Sequence, residues 1–336
     1  MNSRTFLINF ACIVVILGGL KLASDVIMPF LLALFIAVLV SPLINILQRA
    51  RVPKIVAFLC VTCMFFGVLG VIASVIFEAI KSFSSDFPNL QNEVKTALDG
   101  LNAKMAKFHI NLDYASTWVD PNSIFTFIGK FIKQTGSLAK TSLFVLLMVA
   151  FMLFESVNFK DKIAFLEKQK IASTREIERF TQNLKRYLLI KTLSSIATGV
   201  LISGGLAMLN VPYFLLWGIV AFVLNYIPTI GSVVAAIPAL FLALTMGMGV
   251  FCWVLGLYLV VNIAIGNVIE PRFLGAGLDI SPIVVLFSLL LWSYIFGIGG
   301  MFLAVPLTMS IQIALGSSSR TKFISVLLGN KVKKID

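Results

Sequence analysis

The chain has 336 residues, of which 59% are hydrophobic and 12% charged, and its mean hydropathy is +1.00. Soluble domains carry about 45–50% apolar and about 25% charged residues, and a core of this size cannot enclose the excess. These values exclude an ordinary soluble enzyme. They predict an all-α, polytopic integral membrane protein, because long unbroken apolar runs favour helices over a β-barrel.

The formal net charge of +12 is by itself compatible with nucleic acid or with an anionic membrane. The basic residues are scattered between apolar runs without a nucleic-acid-binding motif, so we expect the lipid bilayer and no nucleic acid as partner. We also expect no cofactor, no catalytic residue and no metal site. The chain has no P-loop, and Cys60 and Cys63 lie inside an apolar run far from the only histidine, His109.

About eight membrane segments are predicted in chain order. A helix needs about 20 apolar residues to cross the hydrocarbon, and the uninterrupted candidates are residues 6–22, 26–47, 55–79, 138–156, 188–210 and 250–269. Two further stretches, 213–246 and 281–315, are interrupted. The predicted organisation is N-terminal transmembrane helices (1–80), an outer, periplasmic helical hairpin (81–137), a transmembrane helix (138–156), a cytoplasmic amphipathic helix (157–187), a core with both interrupted stretches (188–318) and a cytoplasmic tail (319–336).

The distribution of basic residues predicts the orientation. With a cytoplasmic N-terminus, most of the 27 lysines and arginines fall on the inner side, including those between Lys160 and Lys191 and between Arg320 and Lys334. Translocated loops are poor in such residues, and long ones count little. We therefore expect a multi-pass protein of a bacterial inner membrane with both termini in the cytoplasm.

Two polar segments interrupt the membrane pattern. Apolar residues spaced by threes and fours between Phe87 and Phe108 predict a helix, and Asp120-Pro121 is a start signal for a second one. The apolar stripe either packs on its own partner helix or lines a subunit interface. The charged amphipathic segment before residue 188 is typical of a helix lying on the bilayer surface.

The two interrupted stretches have arms that barely reach or miss the length of a full span. The first is broken at Asn225-Tyr226-Ile227-Pro228-Thr229-Ile230-Gly231 and the second at Gly297-Ile298-Gly299-Gly300. Proline removes a backbone donor and glycine loosens the backbone, so a helix is expected to stop at both places. The pattern predicts two broken or re-entrant helical hairpins.

The two breaks also resemble each other in sequence. At one constant offset, Leu224–Ala239 aligns with Trp292–Leu307, and the identical pairs are Tyr226/Tyr294, Ile227/Ile295, Ile230/Ile298, Gly231/Gly299, Ala236/Ala304 and Pro238/Pro306. The intervening span, 250–269, reverses the side from which the second hairpin enters. An inverted repeat of interrupted helices is the layout of secondary transporters, which predicts a transport core in residues 188–318.

Candidate translocation residues follow from polarity and backbone breaks in apolar surroundings. Intramembrane polar groups are functional candidates, although each asparagine could equally tie helices together. Glu270 and Arg272 are read either as a cytoplasmic lock or as a plain interfacial ion pair. The full set is Asn225, Tyr226, Pro228, Gly231, Pro238, Asn262, Asn267, Glu270, Pro271, Arg272, Tyr294, Gly297, Gly299, Gly300 and Pro306. Because neither hairpin contains Asp or Glu, the pattern favours a small neutral or polyhydroxylated solute.

Several motifs resemble those of the autoinducer-2 exporter family across nearly the whole chain. They are Asn225-Tyr226-Ile227-Pro228-x-Ile230-Gly231-Ser232-x-x-Ala235-Ala236-Ile237-Pro238, Asn267-x-x-Glu270-Pro271-Arg272-x-x-Gly275, Ala304-Val305-Pro306-Leu307, Pro29-Phe30-x-x-Ala33-Leu34-Phe35-Ile36-Ala37 and Arg51-Val52-Pro53. The resemblance is to the branch that exports the quorum-sensing signal autoinducer-2. It implies efflux of that small hydrophilic molecule and a homo-oligomer, for which we expect a pentamer.

Two alternatives stay open at this point. The resemblance also extends to branches described as sodium or lithium/proton antiporters, which would need a titratable group such as Glu270, Asp279 or Glu155. A non-transporting membrane scaffold, recruiting partners through the outer hairpin and the inner helix, is the other. The primary hypothesis is export of a small polar metabolite by alternating access.

Overall fold

A computed structural model of the chain describes residues 3–106, 144–155, 174–274, 280–316 and 321–329. The regular elements in these ranges are all helical. They are α1 (Ser3–Leu22), α2 (Ser24–Arg49), α3 (Lys54–Ala106), α4 (Phe144–Glu155), α5 (Thr174–Met208), α6 (Phe214–Leu224), α7 (Ile230–Thr245), α8 (Met248–Asn262), a π-helical segment (Ile263–Ile269), α9 (Glu270–Leu274), α10 (Pro282–Gly316) and α11 (Lys322–Leu327).

The helices are those of a multi-pass membrane protein. Within the described ranges, five are long and apolar enough to cross a bilayer, namely Ser24–Arg49, Lys54–Asp86, Thr181–Met208, Met248–Phe273 and Pro282–Gly316. Large apolar side chains cover their outer faces; Trp253, for example, is 72% exposed and Ile283 is 74% exposed. Exposure on this scale is typical of surface that meets lipid. The predicted all-α, polytopic fold is confirmed.

Two predicted boundaries lie inside continuous helices. α3 runs unbroken for 53 residues and includes Pro88, so the span and the first outer helix are one element. Pro88 removes the hydrogen bond to the Ser84 carbonyl without ending the helix. In the same way α5 joins the end of the amphipathic segment to the span that follows it. The second outer helix, at Asp120-Pro121, and residues 157–173 lie outside the described residues.

The chain divides into two compact units, which are described separately. The first consists of Met1–Cys63, Thr141–Ile190 and Leu274–Asp336, and the second of Met64–Lys140 and Lys191–Phe273. The first unit holds α1, α2, α4, α10 and α11. The second holds α6 to α9, together with most of α3 and the C-terminal part of α5.

The second unit contains a helical hairpin formed by α6 and α7, here called hairpin 1. Its turn, Asn225 to Thr229, lies within the predicted interruption, and Thr229 adopts a φ of 59°. A β-branched residue rarely has a positive φ, so the turn is held under strain by its surroundings. Gly231 then packs against the Leu224 carbonyl so closely that a Cβ would overlap it. Only glycine fits there.

In the first unit α10 also folds back on itself and is called hairpin 2. Gly297 has a φ of 64° and a ψ of −148°, which ends the first arm. Trp292 Nε1 donates a hydrogen bond to Thr308 Oγ1 at 3.0 Å, although a straight helix would separate these residues by about 24 Å. A Cβ on Gly300 would overlap the Trp292 carbonyl. The helix therefore reverses direction at the second predicted interruption.

Helices α1 and α2 pack against the tip of hairpin 2. The Lys21 ammonium lies 3.3 Å from the centroid of the Tyr294 ring, a cation–π contact. The Met28 methyl group occupies the space beside Gly299. At the other end of α10, Gln312 Nε2 donates to the Ser325 carbonyl of α11 at 3.2 Å. The tip of hairpin 2 therefore lies level with the junction between α1 and α2.

Candidate functional site at the tip of hairpin 1

A buried ion pair lies against the turn of hairpin 1. Lys191 Nζ of α5 donates to both carboxylate oxygens of Glu270, at 2.8 Å and 2.9 Å. The two residues are only 5% and 9% exposed. Lys191 belongs to the candidate span Thr181–Met208 and Glu270 to the span Met248–Phe273. The pair therefore places two compensating charges within membrane helices.

Hydroxyl and amide groups complete the surroundings of the Glu270 carboxylate. Ser194 Oγ donates to Oε1 at 2.7 Å. Asn225, in the turn itself, donates from Nδ2 to Ser195 Oγ at 3.0 Å and lies 3.5 Å from the same Glu270 oxygen. Because Ser195 is fully buried, this amide–hydroxyl contact is screened from water. The carboxylate thus holds the helix α5 and the hairpin turn together.

A second contact fixes the turn to α5. The Tyr226 hydroxyl lies 2.7 Å from Thr192 Oγ1. Lys191, Ser194, Ser195 and Thr198 are all buried on α5, and their spacing of three and four residues places them on one helical face. That face is polar although the surrounding run is apolar, and it is the face that meets hairpin 1.

The helix that carries Glu270 is irregular directly before it. Residues Ile263–Ile269 form a π-helical segment between α8 and α9. Pro271 follows Glu270, lacks an N–H and has a ring that conflicts with the carbonyl four residues earlier, at Asn267. A wider π turn leaves room for that ring. Such segments are frequent at functional sites because they redirect the side chains that follow.

The energetics favour a functional reading of the ion pair. Removing two ions from water costs several kcal/mol each, which their mutual attraction often fails to recover, so a buried pair is weak evidence for stability. Ionisable residues inside membrane helices are costly and mark transport pathways or proton relays. Lys191 and Glu270 therefore stand out as a functional candidate rather than as a packing device.

The base of hairpin 1 contacts α3 through a different set of side chains. The Tyr213 hydroxyl, just before α6, donates a hydrogen bond to the Asp86 carboxylate of α3. Its ring also packs edge-to-face on Phe83, with centroids 5.3 Å apart. Burial first, and then the hydrogen bond and negative charge of Asp86, raise the pKa of Tyr213 to about 12. The phenol therefore stays neutral over the physiological range.

The structure brings some of the predicted residues together and leaves others apart. Glu270 belongs to the ion pair, Asn225 lies 3.5 Å from its carboxylate, and Tyr226 contacts Thr192, the residue after Lys191. Pro228, Gly231 and Pro238 belong to the same hairpin as Asn225 and Tyr226. Asn262 borders a small cleft in the second unit. Asn267, Pro271 and Arg272 have exposed side chains. Tyr294, Gly297, Gly299, Gly300 and Pro306 belong to hairpin 2 of the first unit.

The partner expected for Glu270 is corrected. Glu270 pairs with Lys191 rather than with Arg272, because it points into the second unit whereas Arg272 is exposed. The sequence reading missed Lys191, which it grouped with the cytoplasmic basic cluster. The detectable signal was the polar series Lys191, Ser194, Ser195 and Thr198, repeated at helical spacing in an apolar run. Of the other antiporter candidates, Glu155 ends α4, and Asp279 lies outside the described residues.

Comparisons with known proteins cover nearly the full length. The profile described as AI-2E family transporter matches residues 10–320. The AI-2 transport protein TqsA of Escherichia coli K12 is 33% identical over 99% of this chain and 98% of its own length. A protein of Haemophilus influenzae with a provisional transport assignment is 34% identical over 98% of this chain and 97% of its own length. The chain belongs to the AI-2E transporter family, a family of transport proteins and not of enzymes.

Proposed function

We propose that the protein exports a small polar metabolite, the quorum-sensing signal autoinducer-2, across the bacterial inner membrane by alternating access. Membership in a transporter family supports transport as the activity. The name of the similar E. coli protein supports this substrate. The signal is small and hydrophilic, and it suits a path built from amides and hydroxyls.

The observation that carries the proposal is the buried group at the tip of hairpin 1. Lys191, Glu270, Ser194, Ser195 and Asn225 form a neutral, hydrogen-bonded cluster that joins three helical elements. A solute whose polar groups replace the bonds of Asn225 would release the turn from α5 and Glu270. The same cluster can therefore report occupancy and permit movement, which alternating access requires.

The proposed topology follows the inverted repeat. With both termini cytoplasmic, hairpin 1 enters from the outside and hairpin 2 from the inside. The contact of Tyr294 with Lys21, at the outer end of α1 in this orientation, supports a deep second hairpin. Its arms are about 22 Å and about 28 Å long, close to the hydrocarbon thickness of about 30 Å. We further propose a homo-oligomer of five subunits.

In this proposal the polar contacts of the translocation path lie at hairpin 1, where Asn225, Tyr226 and Glu270 make them. Tyr294 marks the tip of hairpin 2, which contributes a turn rather than contacts to the solute. The glycines and prolines of both hairpins set the turns. Asn262 and Asn267 border the path on the helix that precedes Glu270, where Pro271 and Arg272 end the span on the cytoplasmic side.

A second candidate function is sodium or lithium exchange for protons. The observation that favours it is Glu270, a carboxylate buried within a membrane helix. Protonation would remove its charge and leave Lys191 without a counter-charge, so proton binding would be coupled to rearrangement of the turn. No carboxylate belongs to either hairpin, yet this one reaches hairpin 1 from the neighbouring helix.

Flux measurements with purified protein in proteoliposomes separate the two functions. One set receives labelled autoinducer-2, and the other contains a pH-sensitive dye and receives sodium or lithium pulses. We expect saturable flux of the signal and no cation-dependent dye response. A dye response without signal flux would replace the exporter by the antiporter, and no flux in either set would favour the scaffold.

A further inference from the structure

A small cleft in the second unit lies along the same polar face of α5 as the ion pair. It is lined by Thr198, Ile202, Ala221, Ser232, Ala235, Tyr258, Val261 and Asn262. These residues come from α5, from both arms of hairpin 1 and from α8. The space is large enough for about one water molecule. It is a narrow site between helices and not an open chamber.

One of the residues that line the cleft, Tyr258, has a hydroxyl group without a hydrogen-bond partner among the described residues. The Tyr258 side chain is only 7% exposed, and this hydroxyl is buried. A buried hydroxyl without a partner is unfavourable and uncommon in folded proteins. Tyr258 therefore lacks a group that a ligand would supply.

Two other lining residues, Thr198 and Ser232, carry hydroxyls with unused hydrogen-bonding capacity. Thr198 Oγ1 donates to the Ser194 carbonyl at 2.9 Å, and Ser232 Oγ donates to the Thr229 carbonyl at 3.3 Å. Each of these oxygens still has lone pairs to accept a hydrogen bond. With the Asn262 carboxamide, which supplies both donors and acceptors, the cleft offers both kinds of hydrogen-bonding group to a ligand.

The chemistry of the walls selects the ligand class. None of the lining residues is charged, and the nearest ion pair on α5, Lys191 with Glu270, is internally neutral. The remaining walls are Ile202, Ala221, Ala235 and Val261, which favour the carbon skeleton of a ligand. A group that both donates and accepts hydrogen bonds on an uncharged, partly apolar molecule matches these walls.

We propose that this cleft is a subsite for a hydroxyl group of the transported neutral solute, with Tyr258 and Asn262 as its principal ligands. The inference rests on the proposed export function and extends it from the hairpin turn to α8. In the described arrangement the cleft admits one hydroxyl-sized group. The rest of the solute enters when hairpin 1 moves away from α5 and α8, because all three elements form its walls.

Equilibrium binding of labelled autoinducer-2 to the purified full-length protein tests this subsite. Tyr258→Phe removes only the hydroxyl, so we expect a five- to tenfold weaker Kd, roughly the loss of one buried hydrogen bond. Asn262→Leu is expected to weaken binding to a similar extent. Thr62→Val is the matched control, because Thr62 Oγ1 is also buried without a partner in the described part of the chain but lies on α3 outside the cleft. Its Kd is expected to equal that of the wild type.

Thermal unfolding without solute distinguishes a ligand from a structural role. Since the Tyr258 hydroxyl bonds to nothing in the described protein, Tyr258→Phe is expected to unfold at the wild-type temperature or above it. A lower unfolding temperature together with an unchanged Kd would assign the hydroxyl to the fold and overturn the proposal.

The remaining outcomes are separable. Binding by the wild type that persists within twofold in Tyr258→Phe would refute the subsite alone and leave export intact. Failure of the wild type to bind autoinducer-2 would refute the proposed substrate and the subsite with it. If sodium or lithium raises the unfolding temperature through Tyr258 while autoinducer-2 does not, the cleft is a cation site and the proposal falls.

Discussion

At both hairpin tips a glycine packs against a backbone carbonyl, whereas the side chains that surround the two tips differ in chemistry. In hairpin 1 Gly231 packs against the Leu224 carbonyl, and in hairpin 2 Gly300 packs against the Trp292 carbonyl. Leu224 and Trp292 are the aligned first residues of the sequence repeat, while the two packing glycines differ by one position in that alignment. The repeated sequence therefore accounts for the two turns, with a small shift of register.

What surrounds each turn is different. The turn of hairpin 1 meets a buried ion pair and two buried serines, whereas the tip of hairpin 2 meets a methionine and a lysine over a tyrosine that is 70% exposed. A buried, hydrogen-bonded cluster has energetic consequences that an exposed cation–π contact lacks. The comparison indicates that the turn is repeated but the polar chemistry belongs to hairpin 1.

The largest expected effect comes from removing one partner of the ion pair. Glu270→Leu leaves the Lys191 ammonium buried without its counter-charge, and we expect about 3–5 kcal/mol lower stability, measured by chemical unfolding in detergent. The double variant Lys191→Met with Glu270→Leu is expected to recover most of that loss.

The matched change at the other tip is Lys21→Met. Lys21 is exposed, so its loss is expected to alter stability by less than about 1 kcal/mol. Equal losses at Glu270 and Lys21 would contradict the contrast between the tips.

The next effect tests the close packing of a glycine against a backbone carbonyl at each hairpin tip. Gly231→Ala and Gly300→Ala each force a methyl group into a backbone carbonyl, and we expect each to lower stability by about 1–3 kcal/mol or more. Gly249→Ala on α8 is the control, because no atom of the described residues lies within 4 Å of the added methyl. It is expected to be neutral or slightly stabilising. If Gly231→Ala lowers the stability and Gly300→Ala does not, the close packing of glycine on a carbonyl is limited to hairpin 1.

A smaller effect concerns the hydrogen bond that joins the arms of hairpin 2. Trp292→Phe removes the donor to Thr308, whereas Trp217→Phe removes an equally buried indole whose Nε1 has no partner among the described residues. Both changes leave a similar cavity, so the difference between them isolates the hydrogen bond. We expect Trp292→Phe to be less stable than Trp217→Phe by about 1 kcal/mol. Identical unfolding free energies would argue against a folded-back α10.

The smallest effect concerns the base of hairpin 1 and depends on pH. Because the pKa of Tyr213 is raised from 10 to about 12, the stability contributed by its neutral phenol is fully present below pH 10. That stability is lost as the pH rises through 12. We expect wild type and Tyr213→Phe to converge in unfolding temperature across this interval. A difference in unfolding temperature that stays constant across this interval would contradict the contact between the Tyr213 phenol and Asp86.

Local signals in the sequence were sufficient to predict the helices and their breaks, but not the buried cluster around Lys191 and Glu270. Proline and glycine act within a few residues, so the breaks at Pro228 and Gly297 were predictable. A proline alone is not sufficient to end a helix, since the neighbouring turns of α3 keep that helix intact at Pro88. The ion pair joins residues 79 positions apart, and nothing local links them. The π-helical segment was also invisible, because its residues are as apolar as those of a regular span.

The most direct test of the account compares one residue from each tip in a transport assay. Asn225→Ala and Tyr294→Ala are reconstituted in proteoliposomes, and flux of labelled autoinducer-2 is measured per folded transporter. We expect Asn225→Ala to lower the flux at least about tenfold, the equivalent of one buried polar contact, while Tyr294→Ala stays within about twofold of wild type. Full flux through Asn225→Ala, or loss of flux only in Tyr294→Ala, would contradict the assignment of solute handling to hairpin 1.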